Sequence, residues 1–156
     1  PTTPRTLGTL ALAGLLVLCG LCGLAYARDL RVPRAKQPDV ALASFLEAEH
    51  LHDGLGDYWS SSITTGESSG RVRVRPVIPD KTHRLVRYGR QSSAEWYRGV
   101  NFTFLVFNLA RPWRDVDAAT AAATFGTPSA TYAVGTYRVL VWDTPVHVST
   151  VGYSRK

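Results

Sequence analysis

Residues 100–109 read VNFTFLVFNL. Apolar aromatic and β-branched side chains fill both alternating sets, so neither side of the segment is polar. A strand of that kind is buried on both faces and needs covering layers above and below. Residues 71–78, RVRVRPVI, supply its complement. Arg71, Arg73 and Arg75 alternate with Val72 and Val74, a period of two, which predicts a strand with one basic side. Pro76 cannot donate to a ladder, so it places that strand at a sheet edge or at the strand's end.

The covering helices lie on either side of these strands. Pro38 suits a first helical position and Asp39 favours the helix dipole. Val40, Leu42, Ala43, Phe45, Leu46 and Leu51 then give one apolar face over about three turns. Gly54 and Gly56 end that helix. Residues 54–59 read as a short strand or turn, and the polar stretch 60–69 as a short helix or loop closing at Gly70. Residues 83–88 read as a second strand. Residues 115–125, DVDAATAAATF, predict a helix capped by Asp115 and stopped by Gly126. Ala130–Val134 and residues 136–143, separated by Gly135, predict a tight hairpin, and residues 146–151 a weaker last strand. Helices alternate with strands, so residues 38–156 are expected to fold as a small α/β layered domain with a mixed sheet and a C-terminal hairpin.

Residues 7–27, LGTLALAGLLVLCGLCGLAYA, carry no charge. As a helix they span about 31 Å, close to the thickness of bilayer hydrocarbon, and Tyr26 suits the interface. A transmembrane helix is expected there, between a short flank (1–6) and a basic linker (28–37) with Arg28, Arg31, Arg34 and Lys36. A signal peptide competes, because Ala25-Tyr26-Ala27 resembles a cleavage site. The apolar run is longer than the usual 7–15 residues, which favours a retained helix. No small residue precedes Cys19 or Cys22 as lipoprotein processing requires. Their C-x-x-C spacing lies inside the apolar run, where thiols act as small apolar groups. The remaining chain has no cysteine. The sequence starts at Pro1 and contains no Met, which favours a piece of a longer protein.

At 156 residues the chain holds one domain and an appendage. With 45% apolar residues general disorder is excluded, and two cysteines exclude a disulfide-stapled mini-domain. The net charge is +6, but residues 71–114 hold ten Lys or Arg against two acids. That surplus fits anionic lipid headgroups or a phosphate-bearing ligand; equally, it is what a solvated strand face looks like. Nucleic acid is not expected, since the chain begins with a membrane span and shows no binding motif. Arg73, Arg75 and Arg87 are the basic candidates for ligand binding. Trp59, Trp96 and Trp113 are the aromatic ones for stacking on a sugar, with Trp96 and Trp113 in loop-like contexts. Trp142, inside an alternating strand, is expected in the core.

Catalytic signatures fail on context. Gly66-Glu67-Ser68-Ser69-Gly70 fits G-x-S-x-G, and Asp143 and His147 would have to complete a triad. The nucleophile elbow needs a strand before it and a helix after it, and here the order is inverted, leaving a Gly/Ser turn. His50, His52 and Asp53 are a possible metal cluster, but His50 and His52 do not share a helical face. Gly54-x-Gly56 lacks the third glycine of a dinucleotide loop, Trp59 standing in its place. Asn101-Phe102-Thr103 is a glycosylation sequon inside the expected buried strand. No catalytic residue, metal or cofactor is expected in this chain.

The order of features from Val40 onward carries a resemblance. A helix leads into LHDGLGDYWSSSITT, then SSGRVRVRPV, an aromatic strand, and TFGTPSATYAVGTYRVLVWD. With Gly56-x-Tyr58-Trp59, the following Thr64 and the hairpin Tyr132…Tyr137…Val141-x-Asp143, this resembles the extracytoplasmic C-terminal region of bacterial multi-pass membrane proteins related to polyprenyl-phosphate-sugar-dependent glycosyltransferases, the GT-C class. The resemblance covers most of the chain, the preceding membrane helix included. It implies a bacterial cell membrane location and a domain that covers or shapes the acceptor side. Its expected partners are the lipid bilayer, a lipid-phosphate-linked sugar or cell-envelope glycan, and the remainder of the parent chain. In that class the catalytic carboxylates lie in an early loop of the membrane part, so none is carried over. The positive-inside rule would put a domain that follows Arg28, Arg31, Arg34 and Lys36 in the cytoplasm, so an extracytoplasmic placement relies on upstream helices. The alternative is a self-contained single-span anchored, or signal-peptide-secreted, binding domain without enzymatic activity.

Overall fold

A computed structural model describes residues 4–31 and 37–151. They divide into two units at residues 37 and 38. The first is helix α1, Pro4–Leu30. It extends past both ends of the uncharged run and takes in Arg28, so the basic linker begins later than its sequence suggests; residues 32–36 lie outside the described part. Within α1, Ala11–Arg28 is long and apolar enough to cross a membrane, a property that a signal sequence near an N-terminus shares.

The second unit is an α/β domain. Its elements are α2 (Pro38–Ala48), β1 (Asp53–Gly56), α3 (Tyr58–Glu67), β2 (Arg73–Pro79), β3 (Leu85–Arg87), a 3-10 turn (Ala94–Tyr97), β4 (Phe102–Asn108), α4 (Ala118–Phe125), β5 (Ala130–Val134) and β6 (Tyr137–Val146). The six strands form one mixed sheet in the order β3-β2-β1-β4-β6-β5. β1 runs parallel to β2 and β4, and the other pairings are antiparallel. β4 has the environment its sequence demands: Phe104, Leu105, Val106 and Phe107 are all buried. Phe104 and Val106 join Leu42, Leu46, Val72, Val74, Tyr137 and Val139 under α2. Leu105 and Phe107, with Phe102 beyond a register shift, join Leu55, Val77, Leu85, Ala121, Leu140 and Trp142 on the α4 side.

Several boundaries differ from the expectations, each for a local reason. β2 is not an edge strand, since β3 covers it. Pro76 sits where β2 changes partners: it is the last residue opposite β1, and Val77 is the first opposite β3. Its carbonyl still accepts from Tyr88 N–H and Tyr97 Oη. β3 is limited to three residues, preceded by His83 in the left-handed region (φ 56°). α4 starts three residues late. Asp115 is itself left-handed (φ 55°), and Asp117 caps instead, accepting Thr120 N–H at 2.8 Å. β6 continues to Val146 and no separate strand follows among the described residues. Asn101 is exposed, ahead of β4 rather than inside it.

Candidate functional site

β1 lies between its two parallel neighbours, and its crossover through α3 leads to β2 on one side while β4 flanks it on the other. In open α/β sheets the crevice beyond the carboxyl ends of strands so arranged is the usual ligand position. Two glycines let β1 reach it. A Cβ on Gly54 would meet the Phe104 ring at 2.2 Å, and one on Gly56 would meet Val106 O at 2.8 Å. Phe104 and α3 therefore close directly over the β1 backbone.

Asp57 turns the chain from β1 into α3. One carboxylate oxygen accepts Trp59 N–H at 2.9 Å and Ser60 N–H at 3.0 Å; the other accepts Ser60 Oγ at 2.5 Å. The carboxylate is buried and wholly engaged in capping. On the next residues the helix throws two rings to the sheet's end. Tyr58 meets Tyr88 and Trp113, each with ring centroids 6.1 Å away, and Trp59 at 4.9 Å. Tyr88 and Trp113 are themselves 5.2 Å apart, edge to face. Tyr88 is fixed by its N–H to Pro76 O and by Ser92 Oγ on its carbonyl. Trp113 opens a tight turn closed by Val116 N–H to its carbonyl. That turn holds two consecutive left-handed residues without glycine, Arg114 (φ 49°) and Asp115 (φ 55°), at a cost on the order of 1 kcal/mol each. The Arg114 guanidinium lies 5.5 Å over the Trp113 ring.

On the α2 side of the sheet, at the carboxyl end of β4, Tyr137 Oη donates to Asp39 Oδ1 at 2.6 Å. Burial pushes this phenol up to about 12. The bond to Asp39 adds to the rise, Asn108 opposes it, and the charges of Asp39 and Asp57 reinforce it. Asp39 and Asp57, the carboxylates this phenol senses, are thus held by structural hydrogen bonds.

The structure divides the six sequence candidates. Trp59 and Trp113 meet through Tyr58 at the carboxyl end of β1. Arg75 and Arg87 lie around Tyr97, which belongs to the same core that Trp113 packs against. Arg75 stacks over the Trp96 ring at 4.8 Å. Arg87 donates to Thr150 O at 2.9 Å and Ser92 O at 2.6 Å. Burial pushes the Tyr97 phenol up to about 12, with its hydrogen bond to Ser92 and the charges of Arg87 and Arg75 pulling it back. Arg73 stands apart at the amino end, paired with Asp53 at 2.7 Å. Tyr58, Tyr88 and Arg114 were not among the candidates. The Tyr58-Trp59 pair had a sequence signal; Tyr88 and Arg114 reach the cluster only through tertiary packing.

Other motifs take structural roles. Ser68 is buried, with its Oγ bonded to Val72 N–H and Val72 O, both at 3.1 Å, which closes the turn into β2. His50 and His52 have ring centroids 6.4 Å apart, and among the described residues no group of three His, Cys, Asp or Glu could hold a metal ion. The site therefore offers aromatic faces, one guanidinium and carboxylates already in use. That chemistry suits stacking on the C–H face of a sugar or on a planar ring. Comparison with protein-family models, curated proteins and solved structures returns no match.

Proposed function

We propose that this chain is the non-catalytic, membrane-anchored portion of a polyprenyl-phosphate-sugar-dependent glycosyltransferase-like membrane protein, and that its domain binds the saccharide of a lipid-phosphate sugar or glycan acceptor. The observation that carries this is the Tyr58–Tyr88–Trp113 cluster with Trp59 beside it, 58% exposed, at the carboxyl end of β1. Large rings exposed at that position stack on sugars at little conformational cost. The engaged carboxylates favour binding over acid–base chemistry.

The test is tryptophan fluorescence of the full chain in lipid nanodiscs, titrated with a polyprenyl-phosphate sugar and with free oligosaccharides. Saturable quenching is expected, weakened about tenfold by Trp113→Ala, the loss of one stacking contact. No response to any saccharide overturns the binding reading. Sugar transfer by the chain alone overturns its non-catalytic part.

A second reading has its own support. Among the described residues one helix qualifies as a span, and it precedes a unit with its own cores. A self-contained anchored binding domain would use the same aromatic site. Blotting source membranes for residues 38–156 separates the two: a band several times larger than 17.1 kDa supports the transferase tail, and a band near that mass the anchored domain.

A further inference from the structure

Of the domain's four exposed large apolar side chains among the described residues, Trp59, Trp96, Leu109 and Val151, two stand at one end of the sheet. Trp59 (58% exposed) leaves the first turn of α3, directly after β1. Leu109 (53% exposed) directly follows β4. β1 and β4 are parallel neighbours; β1 ends at Gly56 opposite Val106, and β4 ends two residues later at Asn108, so both side chains follow strand ends on the same side of the sheet. Leu109 is held there by its N–H to Thr136 O at 2.8 Å. The loop after Leu109 adds Arg111 and Arg114, both exposed, against one exposed acid, Asp115.

The chain also enters the domain at this edge. α2 starts at Pro38, whose ring lies beside Gly135 in the β5–β6 turn, 3.5 Å from where a Cβ on that glycine would be. α1 ends at Leu30. Eight residue steps separate Leu30 from Pro38, and covalent geometry limits their reach to about 29 Å. If α1 spans the bilayer, chain length alone keeps Pro38 within about that distance of the helix's end. Trp at the headgroup level, Leu just below it and Arg against lipid phosphate is the chemistry of a membrane interface.

We infer that the edge formed by the carboxyl ends of β1 and β4 is the surface by which the domain rests on the bilayer. Trp59 and Leu109 enter the headgroup layer, and Arg111 and Arg114 meet lipid phosphates. The Tyr58–Tyr88–Trp113 cluster then opens where a lipid-linked sugar presents its headgroup. The inference rests on α1 as a span and is independent of whether any saccharide binds.

The experiment uses the full chain reconstituted in phosphatidylcholine/phosphatidylglycerol vesicles, with Cys19→Ala and Cys22→Ala. A single environment-sensitive fluorophore is attached at Leu109→Cys or, at the opposite end of β1, at His52→Cys. The expected result is blue-shifted emission at position 109, quenched at least twofold more by spin-labelled lipid than at position 52. Trp59→Ser should reduce the quenching at 109 about twofold. Water-like, unquenched emission at 109 overturns the inference. So does equal quenching at both positions, or shielding that depends on protein concentration rather than lipid, which would mean a second copy covers the edge. Failure of the chain to float with the vesicles removes the span and the inference with it. Saccharide titration remains a separate readout, so either reading can fail alone.

Discussion

Tyr137 and Asp39, separated by 98 positions in sequence, share a 2.6 Å hydrogen bond that ties the first turn of α2 to the start of β6. Tyr137 is buried, so its hydroxyl has little water to fall back on. Tyr137→Phe should therefore cost about 1.5–3 kcal/mol, the range for a hydrogen bond with a charged acceptor. Asp39→Asn keeps an acceptor and should cost less. Urea denaturation of both variants, followed by circular dichroism, measures the difference; equal losses would show that the charge, not the bond, matters.

The same phenol and that of Tyr97 predict alkaline sensitivity. Each is pushed from 10 up to about 12, chiefly by burial. The folded state therefore holds these protons more tightly than the unfolded state. Their contribution is complete below pH 10 and is lost as pH rises from 10 through 12. Stability should fall steeply over that window, and the fall should flatten in Tyr97→Phe and Tyr137→Phe. Denaturation midpoints at pH 9 and pH 11.5 test this. An equal drop in the wild type and the double variant would assign the sensitivity to other groups.

Gly54 predicts the sharpest packing effect. A Cβ there would overlap the Phe104 ring at 2.2–2.5 Å, and the ring is fully buried with no room to retreat. Gly54→Ala should destabilise by about 3 kcal/mol, at the upper end of overpacking costs. Phe104→Leu in the same chain should recover part of that loss, so the double variant should be less destabilised than the sum of the two singles. Strict additivity would mean the clash is relieved elsewhere.

How much of this was legible in the sequence depends on the range of the interaction. β4 declared itself because burial on both faces leaves a continuous apolar run. The β5–β6 hairpin did so because Gly135 takes the left-handed turn position (φ 57°). The start of α4 was misread because Asp115 and Asp117 are both good caps in isolation. The Trp113–Val116 turn takes Asp115 into the left-handed region and leaves capping to Asp117. Pro76 reads as a marker of a sheet edge or of a strand's end because a missing N–H is harmless at either. It is equally harmless where a strand exchanges one neighbour for another. The aromatic cluster was only half visible, since Tyr58, Tyr88 and Trp113 come from three separate segments and nothing local joins them.

Ser61 and Thr64 predict a gain of stability. Both hydroxyls are buried on α3 without a hydrogen-bond partner among the described residues, and Ser61 Oγ faces Gly56 of β1. An unsatisfied buried hydroxyl costs about 1–3 kcal/mol, and alanine is also the better helix former. Ser61→Ala should therefore raise stability by about 1 kcal/mol. Thr64→Val, which keeps the shape, should be neutral or stabilising. Thermal unfolding compares them. A loss in both would show that the hydroxyls have partners, an ordered water among them.

Arg73 and Arg87 separate surface charge from structure within one basic segment. Arg73 is exposed and pairs with Asp53 at the amino end of the sheet, an ion pair worth about 0–1 kcal/mol. Arg87 reaches into the domain to hold the carbonyls of Thr150 and Ser92, and its own N–H reaches Ser149 O at 3.4 Å. Arg87→Ala should cost about 2 kcal/mol and speed amide exchange in the segment 147–151, because the charged anchor of that segment is gone. Arg73→Ala should leave both unchanged. A loss of anionic-lipid binding in Arg87→Ala is therefore interpretable only beside Arg73→Ala, which removes the same charge without releasing the chain end. If both variants lose lipid binding equally at low salt, the basic strand itself meets the membrane. If only Arg87→Ala does, the effect comes from the released segment.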